Sequence, residues 1–445
     1  MTDSSSLMLP NSIALTSDLQ FNLLPSAARS RNYRASILPT NKNSFESQDT
    51  CIIYIPGGRR GTYLDVSSSF MRFTIKNTDA TNAFQLDGNG CSIINRIDIF
   101  HGGALLESIQ NYNILANYIL DIQCPVSQRI GLANIYGFDA NGDRSGATIS
   151  AGAQLTCCMP IFSGVVGVLN SKMLALGLLS DDIRLEITFE SSAVGVCAAA
   201  GTPAFKVIDF QLELSITELS DEGESMVRTI ANPDEPIYFH GTSWRHYTAS
   251  IPANQSGSYA TLVPARFASL KQIAVLPICS TSSTSATSYS VGSRTHCAID
   301  SYFFRVGASI IPNKPVVLNN INNTGGYGEG YAQLLTSWHA LHSVSHSSVL
   351  GVEYNVNDAA ITNTNVIVQF SGSSSYKNGF CIAQEMESFS NRSDILLSGY
   401  NTLSSQIFFE ANINATGPAA PYTLHFFAWY DHILVLERGL LSVKF

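Results

Sequence analysis

The clearest pattern in the chain is a strict alternation of apolar and polar side chains near the end of its first half. Ile183, Leu185, Ile187 and Phe189 are apolar, and each is followed by a charged or polar residue. A period of two with one apolar face is typical of a β-strand half buried against a second sheet. The stretch from Met159 to Glu190, which ends in this strand, therefore predicts part of a layered β domain.

A related layout returns near the C-terminus, in Asp394–Asn412. Both stretches contain a Leu-rich approach, a glycine (Gly177 or Gly399), a turn with serine, and then a strand-like pattern. Each is followed by a long strand pattern, Phe205–Leu219 in the first half and Tyr422–Glu437 in the second. The second of these is apolar on both faces, which predicts deeper burial. A repeat of about half the chain length indicates two similar β domains in tandem.

Shorter patterns fill in both halves. They are a strand region at Cys51–Asn77 interrupted by a Gly-rich turn at Pro56–Gly61, a strand at Ile94–Phe100, a hairpin turn at His101–Gly103, a helix across a sheet edge at Ser108–Gln123, strands at Ile237–Ile251 and within Tyr259–Pro277, and a helix at Tyr331–His346. Loops of small polar residues are predicted at Asp139–Gly152, Ser191–Pro203, Ser280–Ser290 and Ser371–Gly379.

The domain division follows from these patterns. Residues 1–49 show little strand periodicity and are expected to form an extended N-terminal arm. It carries a small basic cluster around Tyr33, made of Arg29, Arg31, Arg34 and Lys42. The charged stretch Glu218–Pro236 is predicted to be an irregular connector between the halves. We therefore expect residues 50–222 to form the first β domain and residues 223–445 the second.

The amino-acid composition limits the classes of function that the chain can have. Charged residues make up only 13% of the 445 residues, against ~25% in a typical soluble domain. Such a chain either buries much of its surface in contacts or carries long neutral loops. The net charge of −9 and pI near 5.5 argue against a protein that wraps nucleic acid, which needs concentrated Lys and Arg.

The sequence contains no clear motif for a redox site, for secretion or for a membrane-spanning helix. The nine cysteines are irregularly spaced and none forms a C-x-x-C pair, so we expect buried free thiols in a reducing compartment. The N-terminus lacks the basic start and apolar core of a secretory signal. No apolar run reaches the ~18 residues expected of a membrane-spanning helix.

Candidate chemistry is sparse. The Gly-rich turn at Pro56–Gly61 lacks the G-K-[ST] ending of a phosphate-binding loop. Asp181 and Asp182 are adjacent, so in a strand they would point to opposite faces. No G-x-S-x-G elbow occurs. We therefore predict no enzyme, and assign no catalytic, cofactor-binding or metal-ligating residue.

The role of one group of histidines has two interpretations. His339, His342 and His346 would share a face of the predicted helix. A zinc site of that spacing would be unusual, because i to i+7 spans ~10 Å along a helix. A polar face against a loop or a neighbouring subunit is the simpler interpretation. A metal-binding or pH-sensitive contact is the alternative.

Taken together, these stretches resemble the double jelly-roll major capsid proteins of Polinton-like viruses, adintoviruses and virophages. The resemblance lies in order, spacing and length over nearly the whole chain. It is carried by Thr62–Asn77, Ile93–Tyr112, Pro160–Glu190, Phe205–Leu219, Ala265–Pro277 and Tyr422–Phe445.

The resemblance implies an all-β fold of two tandem jelly-roll β-sandwich domains with short helices in loops. It also implies a virion protein assembled inside the host cell, in cytoplasm or nucleus. Such a subunit forms homotrimers that act as pseudo-hexameric capsomers and tile an icosahedral shell. Its partners would be copies of itself, neighbouring capsomers, and penton and minor capsid proteins. The neutral loops would face outward, and the arm would run on the inner side toward an inner layer or internal membrane, without strong nucleic-acid binding.

Two other classes of protein are alternatives to this one. A tandem β-sandwich glycan-binding or adhesin module would show aromatic and acidic side chains on loops at one end, whereas these loops are mostly Ser, Thr and Gly. A single jelly roll with a projecting domain, as in small RNA viruses, fits less well because the strand layout recurs in both halves and the N-terminus is only weakly basic.

Overall fold

The fold is that of a computed structural model of the chain. The structure describes residues 28–142, 144–170, 172–198, 201, 203–230, 236–281, 287–318, 328–339, 354, 379–388 and 397–445.

The first half consists mainly of antiparallel strands. They are β1 (Ser30–Ile37), β2 (Ser44–Glu46), β3 (Thr50–Ile55), β4 (Thr62–Asn77), β5 (Phe84–Leu86), β6 (Ile94–His101), β7 (Ala104–Gln110), β8 (Thr148–Ile149), β9 (Gln154–Pro160), β10 (Ile183–Phe189), β11 (Val196–Ala198) and β12 (Phe205–Leu219). One sheet has the order β1-β12-β4-β9, with β2 added on β12, and the other has the order β3-β10-β6-β7. The short strands β11, β5 and β8 form a third, small sheet.

The second half repeats this arrangement. Its strands are β13 (Ile237–Ile251), β14 (Gly257–Val263), β15 (Leu270–Cys279), β16 (Ile299–Val306), β17 (Ser309–Val317), β18 (Ile382–Glu385), β19 (Ile407–Ile413), β20 (Tyr422–Glu437) and β21 (Leu440–Lys444). The two sheets have the orders β13-β20-β15-β18 and β14-β19-β16-β17, and β21 pairs with β20.

Both halves therefore share one topology. If the small strands β2, β5, β8, β11 and β21 are set aside, each half has eight main strands. Within each half, one sheet has the order first-eighth-third-sixth and the other second-seventh-fourth-fifth. This is the strand order of a jelly roll, in which two four-stranded sheets pack face to face. The prediction of two tandem jelly rolls is confirmed.

The predicted strand patterns match the observed burial. β10 alternates between buried and partly exposed positions along its length. β20 is buried on both faces over most of its length, because it lies centrally between β13 and β15. The predicted hairpin at His101–Gly103 joins β6 to β7, with His101 opposite Ala104. The repeated stretches lead into β10 and β19, which are the seventh main strands of the two halves.

The expectation of little strand structure before residue 50 is wrong over two segments. β1 pairs along its whole length with β12, from Ser30 opposite Leu219 to Ile37 opposite Leu212. β2 pairs with the beginning of β12, where Lys206 lies opposite Glu46. β1 is an edge strand with several exposed positions, so its apolar alternation is too weak to be recognised in the sequence. The division at residues 49/50 and 222/223 remains a prediction.

The helices are α1 (Tyr112–Gln123), α2 (Val126–Tyr136), α3 (Asp221–Ile230) and α4 (Gly328–Thr336). The predicted helix at Ser108–Gln123 begins too early, since β7 continues to Gln110 and Asn111 turns the chain with a φ of 50°. α1 is buried over nearly its whole length. Among the described residues, no helix is long and apolar enough to cross a membrane.

Two further boundaries differ from expectation. The described part of Glu218–Pro236 is not irregular, because β12 extends to Leu219 and α3 follows it; residues 231–235 lie outside the described residues. Three acidic residues in the first turn of α3 favour the helix through its dipole. The predicted helix at Tyr331–His346 is observed only as α4. Of the three histidines on it, His342 and His346 lie outside the described residues.

Candidate functional site

The two jelly rolls meet along a contact that we call the seam. It forms where β7 and the segments around it in the first half pack against β13 and β21 of the second. Backbone groups cross it directly: the N–H of Thr242 donates to the Leu169 carbonyl at 3.2 Å. The N–H of Leu441 donates to Nδ1 of His101 at 3.2 Å. Three buried carboxylates of the first half dominate its polar contacts.

Asp87 is the first of these carboxylates. It follows β5, is fully buried, and accepts three consecutive backbone N–H groups of the second half. Their donor-acceptor distances are 2.7 Å from Ser290, 2.5 Å from Val291 and 3.1 Å from Gly292. Beside it, the Tyr289 hydroxyl donates to Oε1 of Gln85. A loop of the second half is thus held by side chains of the first.

Asp121, near the end of α1, is the second. It is surrounded by three guanidinium groups, and all four side chains are buried. Arg129 donates to Oδ1 at 2.6 Å, and Arg144 donates to Oδ2 at 2.8 Å. Arg294, from the second half, also donates to Oδ2. Arg144 reaches the Gly292 carbonyl at 2.9 Å as well, so it connects both halves.

The charge state of Asp121 follows from these neighbours. Burial alone would raise its pKa, but the nearby guanidinium groups of Arg144, Arg294 and Arg129 outweigh that effect, and the pKa is lowered. The carboxylate therefore stays ionised and paired. Because a buried ion pair that loses one partner leaves an uncompensated charge, each member is needed once the others are present.

Glu107, in β7, is the third. It accepts hydrogen bonds from the hydroxyls of Ser163 and Ser243 and from the Gly164 N–H at 3.1 Å. Ser243 belongs to β13, so this carboxylate also joins the halves. Burial raises the pKa of Glu107, and the hydrogen bonds from the two serines only partly oppose it. Asp87, Asp121 and Glu107 together fix the halves by directional hydrogen bonds at separate points.

The aromatic part of the seam contains every tryptophan of the chain. Trp244 stacks on Trp429 with ring centroids 5.5 Å apart, and Trp338 lies 6.0 Å from Trp244. Tyr118 of α1 packs edge-on against Trp244 and Trp338. Its hydroxyl accepts from Trp338 Nε1 at 2.8 Å and from Gln272 Nε2 at 3.0 Å. A first-half tyrosine is therefore anchored in the aromatic cluster of the second half.

The loops at the seam correct one expectation. Arg144, Ser145, Ser288 and Ser290 belong to the stretches Asp139–Gly152 and Ser280–Ser290, which were predicted to face outward, yet these four residues are buried. Ser371–Asn378 lies outside the described residues. Loops rich in small polar residues were predicted to be exposed because of their composition. In this fold the small side chains instead allow the two halves to approach each other closely.

The basic cluster before residue 50 is paired within the first half. Arg31 lies 3.2 Å from Glu218, Arg34 lies 2.7 Å from Glu213, and Lys42 lies 2.8 Å from Asp49. These distances join side-chain nitrogen and carboxylate oxygen atoms. The neighbouring acids thus offset three of the four charges of this cluster.

The other residues singled out in the sequence are dispersed. Asp181 and Asp182 are exposed and precede β10. Asp182 accepts the Gly57 N–H at 3.0 Å, so it holds the Gly-rich turn in place. All nine cysteines lie within the described residues as free thiols, eight of them buried and Cys158 partly so.

Sequence reasoning missed the seam carboxylates. One signal was available: Asp121 is the only charged residue in α1, which is otherwise rich in Ile, Leu and Tyr. A lone acid on a buried helix requires a buried partner. Its partners are 8, 23 and 173 residues away, which no local pattern reveals.

Two tandem jelly rolls joined along a buried seam define the double jelly-roll class of fold, and comparison with solved structures agrees. The PBCV-1 virus capsid matches with a TM-score of 0.61 at 8% identity, over 95% of this chain and 98% of that one. The Faustovirus major capsid protein matches with a TM-score of 0.57 at 9% identity, over 93% and 92%. The mavirus major capsid protein matches with a TM-score of 0.51 at 10% identity, over 97% and 93%.

The sequence itself gives no such match. No protein-family profile matches the chain, and no curated protein matches it either. The fold of this chain is therefore that of the double jelly-roll capsid proteins, and the resemblance inferred from the sequence is confirmed at the level of fold.

Proposed function

We propose that this chain is a major capsid protein, a structural subunit without catalytic activity. In this proposal it trimerises into pseudo-hexameric capsomers that tile an icosahedral virus shell. The observation that carries the proposal is the repeated eight-strand topology of the two halves, which extends over nearly the full length shared with the capsid structures. Two equivalent lobes in each chain give a trimer six similar lobes.

The seam supports this role. A six-lobed ring fills a hexagonal position only if the two lobes of each subunit keep a fixed spacing and angle. Asp87, Asp121 and Glu107 hold the lobes by buried, directional contacts to Ser290, Arg294 and Ser243 at separate points. Relative motion is the default for loosely joined domains, and buried contacts at several separate points oppose it. A tandem binding module has no comparable need for rigidity between its units.

The placement of the tryptophans also favours a shell protein over a glycan-binding module. All three lie in the seam, stacked on one another. A sugar-binding platform would present such rings on exposed loops, where they can stack on a ligand. Here the aromatic groups join the two lobes.

The remaining assignments belong to the same proposal. In it, residues 1–49 form the arm, whose strands β1 and β2 join a sheet of the first jelly roll. Residues 50–222 form the rest of that jelly roll, and residues 223–445 form the second. The partners are further copies of the chain, neighbouring capsomers, and penton and minor capsid proteins. The arm contacts an inner layer or internal membrane. The protein resides in the virion capsid and is assembled in the cytoplasm or nucleus of the host cell.

The decisive experiment is the mass of the purified, untagged protein, measured by light scattering after size exclusion, with negative-stain images of the same peak. We expect a trimer near three times 48.1 kDa with a hexagonal outline, or larger shells. A compact monomer that shows no assembly over a range of concentration and salt would refute the proposal and redirect attention to glycan screening.

A further inference from the structure

A histidine and two glutamates converge at the edge of the second jelly roll. His339 follows α4 in a turn with a φ of 55°, and its imidazole faces the end of β18. Nε2 of His339 lies 3.3 Å from Oε2 of Glu387, and Nδ1 lies 3.8 Å from Oε1 of Glu385. The side chains of His339 and Glu385 are 23% and 17% exposed, whereas that of Glu387 is 4% exposed. The group is therefore partly sheltered and still open on one side.

The spacing of the three side chains suits a metal ion. One ligand atom from each lies within 4.8 Å of the other two. In a tetrahedral zinc site with bonds of ~2.0–2.1 Å, neighbouring ligand atoms are ~3.3 Å apart. Nε2 of His339 and Oε2 of Glu387 already have that separation. An oxygen of Glu385, which now lies nearer Nδ1 of the same ring, would have to move toward this pair to complete a three-ligand set. A solvent molecule would take the fourth position on the open side.

Groups outside the set orient the buried ligand. Lys271 Nζ lies 2.8 Å from Oε1 of Glu387, and the Ser398 hydroxyl donates to the same oxygen at 2.5 Å. These contacts use Oε1 and direct Oε2 toward His339. Carboxylates that bind metals are commonly fixed in this way by outer hydrogen bonds.

The charges in this region favour a cation. Glu387 and Asp431 both contact the Lys271 ammonium group, at 2.8 Å and 3.8 Å, so one cation faces two carboxylates. Glu385 adds a third carboxylate beside His339. A divalent ion between His339 and the two glutamates would compensate acidic charge that is partly removed from water, whereas surface acids in open water need no such compensation.

We propose that His339, Glu385 and Glu387 form a structural binding site for one divalent transition-metal ion of the zinc type. The mixed imidazole and carboxylate ligands select for such ions over Mg²⁺, which prefers six oxygen ligands. The ion would tie the turn after α4 to the end of β18. The site differs from the three-histidine set considered from the sequence, because it keeps only His339 and recruits two distant glutamates.

The test uses the full-length chain, stripped of metal with a chelator that is then removed by dialysis. ZnCl₂ is titrated by calorimetry at pH 7.5, and the melting temperature is recorded with and without the ion. We expect one Zn²⁺ per chain, a higher melting temperature, and no comparable effect of MgCl₂. His339→Gln and Glu385→Gln should each weaken Zn²⁺ binding at least ~10-fold, the lower end of the losses seen when a metal site is disturbed.

His240→Gln is the matched control. His240 is also a partly exposed imidazole beside an acid, 3.1 Å from Asp431, but it lies outside the proposed set, so this variant should bind Zn²⁺ like the parent chain. A Cys158→Ser background removes the partly exposed thiol as a competing ligand. Absence of stoichiometric binding in the parent chain, or equal binding in His339→Gln, would overturn the proposal. Capsomer mass is measured in parallel, so a failure of the metal site is distinguishable from a failure of the capsid proposal.

Discussion

At the scale of single residues, Asp121 is the group on which both halves of the molecule depend. It is fully buried and receives hydrogen bonds from two arginines of the first half and one of the second. Arg129 is further held over the Phe138 ring, with its guanidinium carbon 4.5 Å from the ring centroid. The Asp121 carboxylate thus faces all three guanidinium groups at once and holds the four residues together as a unit.

Replacing Asp121 with asparagine should therefore destabilise the chain strongly. The substitution preserves shape but leaves three buried guanidinium groups without their carboxylate, and the loss of one partner in such a cluster costs ~3–5 kcal/mol. Chemical denaturation followed by tryptophan fluorescence measures the change, since the tryptophans lie in the seam.

The control for this variant is Glu410→Gln. Glu410 pairs with Arg305 at 2.6 Å on the surface, where the arginine is 41% exposed. A partly exposed pair of this kind contributes ~0–1 kcal/mol. Equal effects of the two substitutions would show that the seam cluster does not hold the halves together.

Gly177 and Gly399, the repeated glycines of the two halves, occupy equivalent places. A Cβ at Gly177 would lie 2.6 Å from the Arg59 carbonyl oxygen, just before β4. A Cβ at Gly399 would lie 2.5 Å from the Leu270 carbonyl oxygen, at the start of β15. In both jelly rolls the approach to the seventh main strand thus packs on the start of the third.

Alanine at either glycine should destabilise the chain by ~1–3 kcal/mol, the usual cost of overpacking. The matched control is Gly131→Ala in α2, where a Cβ meets nothing within 4 Å and alanine should stabilise the helix by ~1 kcal/mol. The melting temperatures of the three variants, compared with that of the parent chain, test this prediction. A neutral Gly177→Ala would contradict the packing argument.

At the scale of elements, β1 shows how an edge strand completes a jelly roll. It takes the position in the first half that β13 takes in the second, beside β12 and β20 respectively. Its pairing with β12 covers eight residues and is reinforced by the Arg34–Glu213 ion pair at 2.7 Å. Without β1, the edge of β12 would present unpaired backbone groups, which promote association with other chains.

We therefore expect a chain that lacks residues 1–37 to melt at a lower temperature and to aggregate, whereas a chain that lacks residues 1–27 keeps β1 and its stability. Differential scanning calorimetry and size exclusion of both truncations test this. If the two truncations behave alike, β1 does not contribute to the first jelly roll in the way its pairing indicates.

At the scale of the whole molecule, three histidines within and beside the seam, two of them partly buried and one fully buried, couple its stability to pH. His246 lies against His425, with Nε2 and Nδ1 3.0 Å apart, and contacts Asn111 of the first half. His432 lies next to Gly164 of the first half. Burial lowers the pKa of His246 and His432 to about 4 and that of His425 to about 3.

The sign of the effect follows from these values. A histidine with a folded-state pKa below its ordinary value of 6.5 contributes full stability above pH 6.5, and this contribution is lost as the pH falls toward 4. At pH 5, one such histidine costs roughly 2 kcal/mol relative to pH 7.5. Glu107 acts in the opposite direction, because burial raises its pKa.

We expect denaturation midpoints to fall clearly between pH 7.5 and pH 5. The double variant His246→Gln, His425→Gln should show a smaller fall, since it removes two of the three titrating groups. The measurement is urea unfolding at both pH values. A parent chain that is equally stable at both would rule out a dominant role for these histidines.

Most of the main strands, the half-length repeat and the class of fold were predictable from the sequence alone, whereas the edge strand β1 was not. Strand pairing in a sandwich requires an apolar face at every second residue, and that requirement is local, so β10, β12 and β20 are visible in the chain. The same holds for the hairpin between β6 and β7, where two glycines permit the turn.

The contacts that join the halves, and the residues proposed to bind a metal ion, became visible only in the folded chain. The partners of Asp121, Glu107 and His339 are contributed by distant segments, and pairing between single charged groups leaves no periodic trace. Loops of small residues look solvent-exposed by composition, yet small side chains are also what allow two domains to approach closely. Burial of a polar residue is thus set by what packs over it, which is a property of the assembled fold.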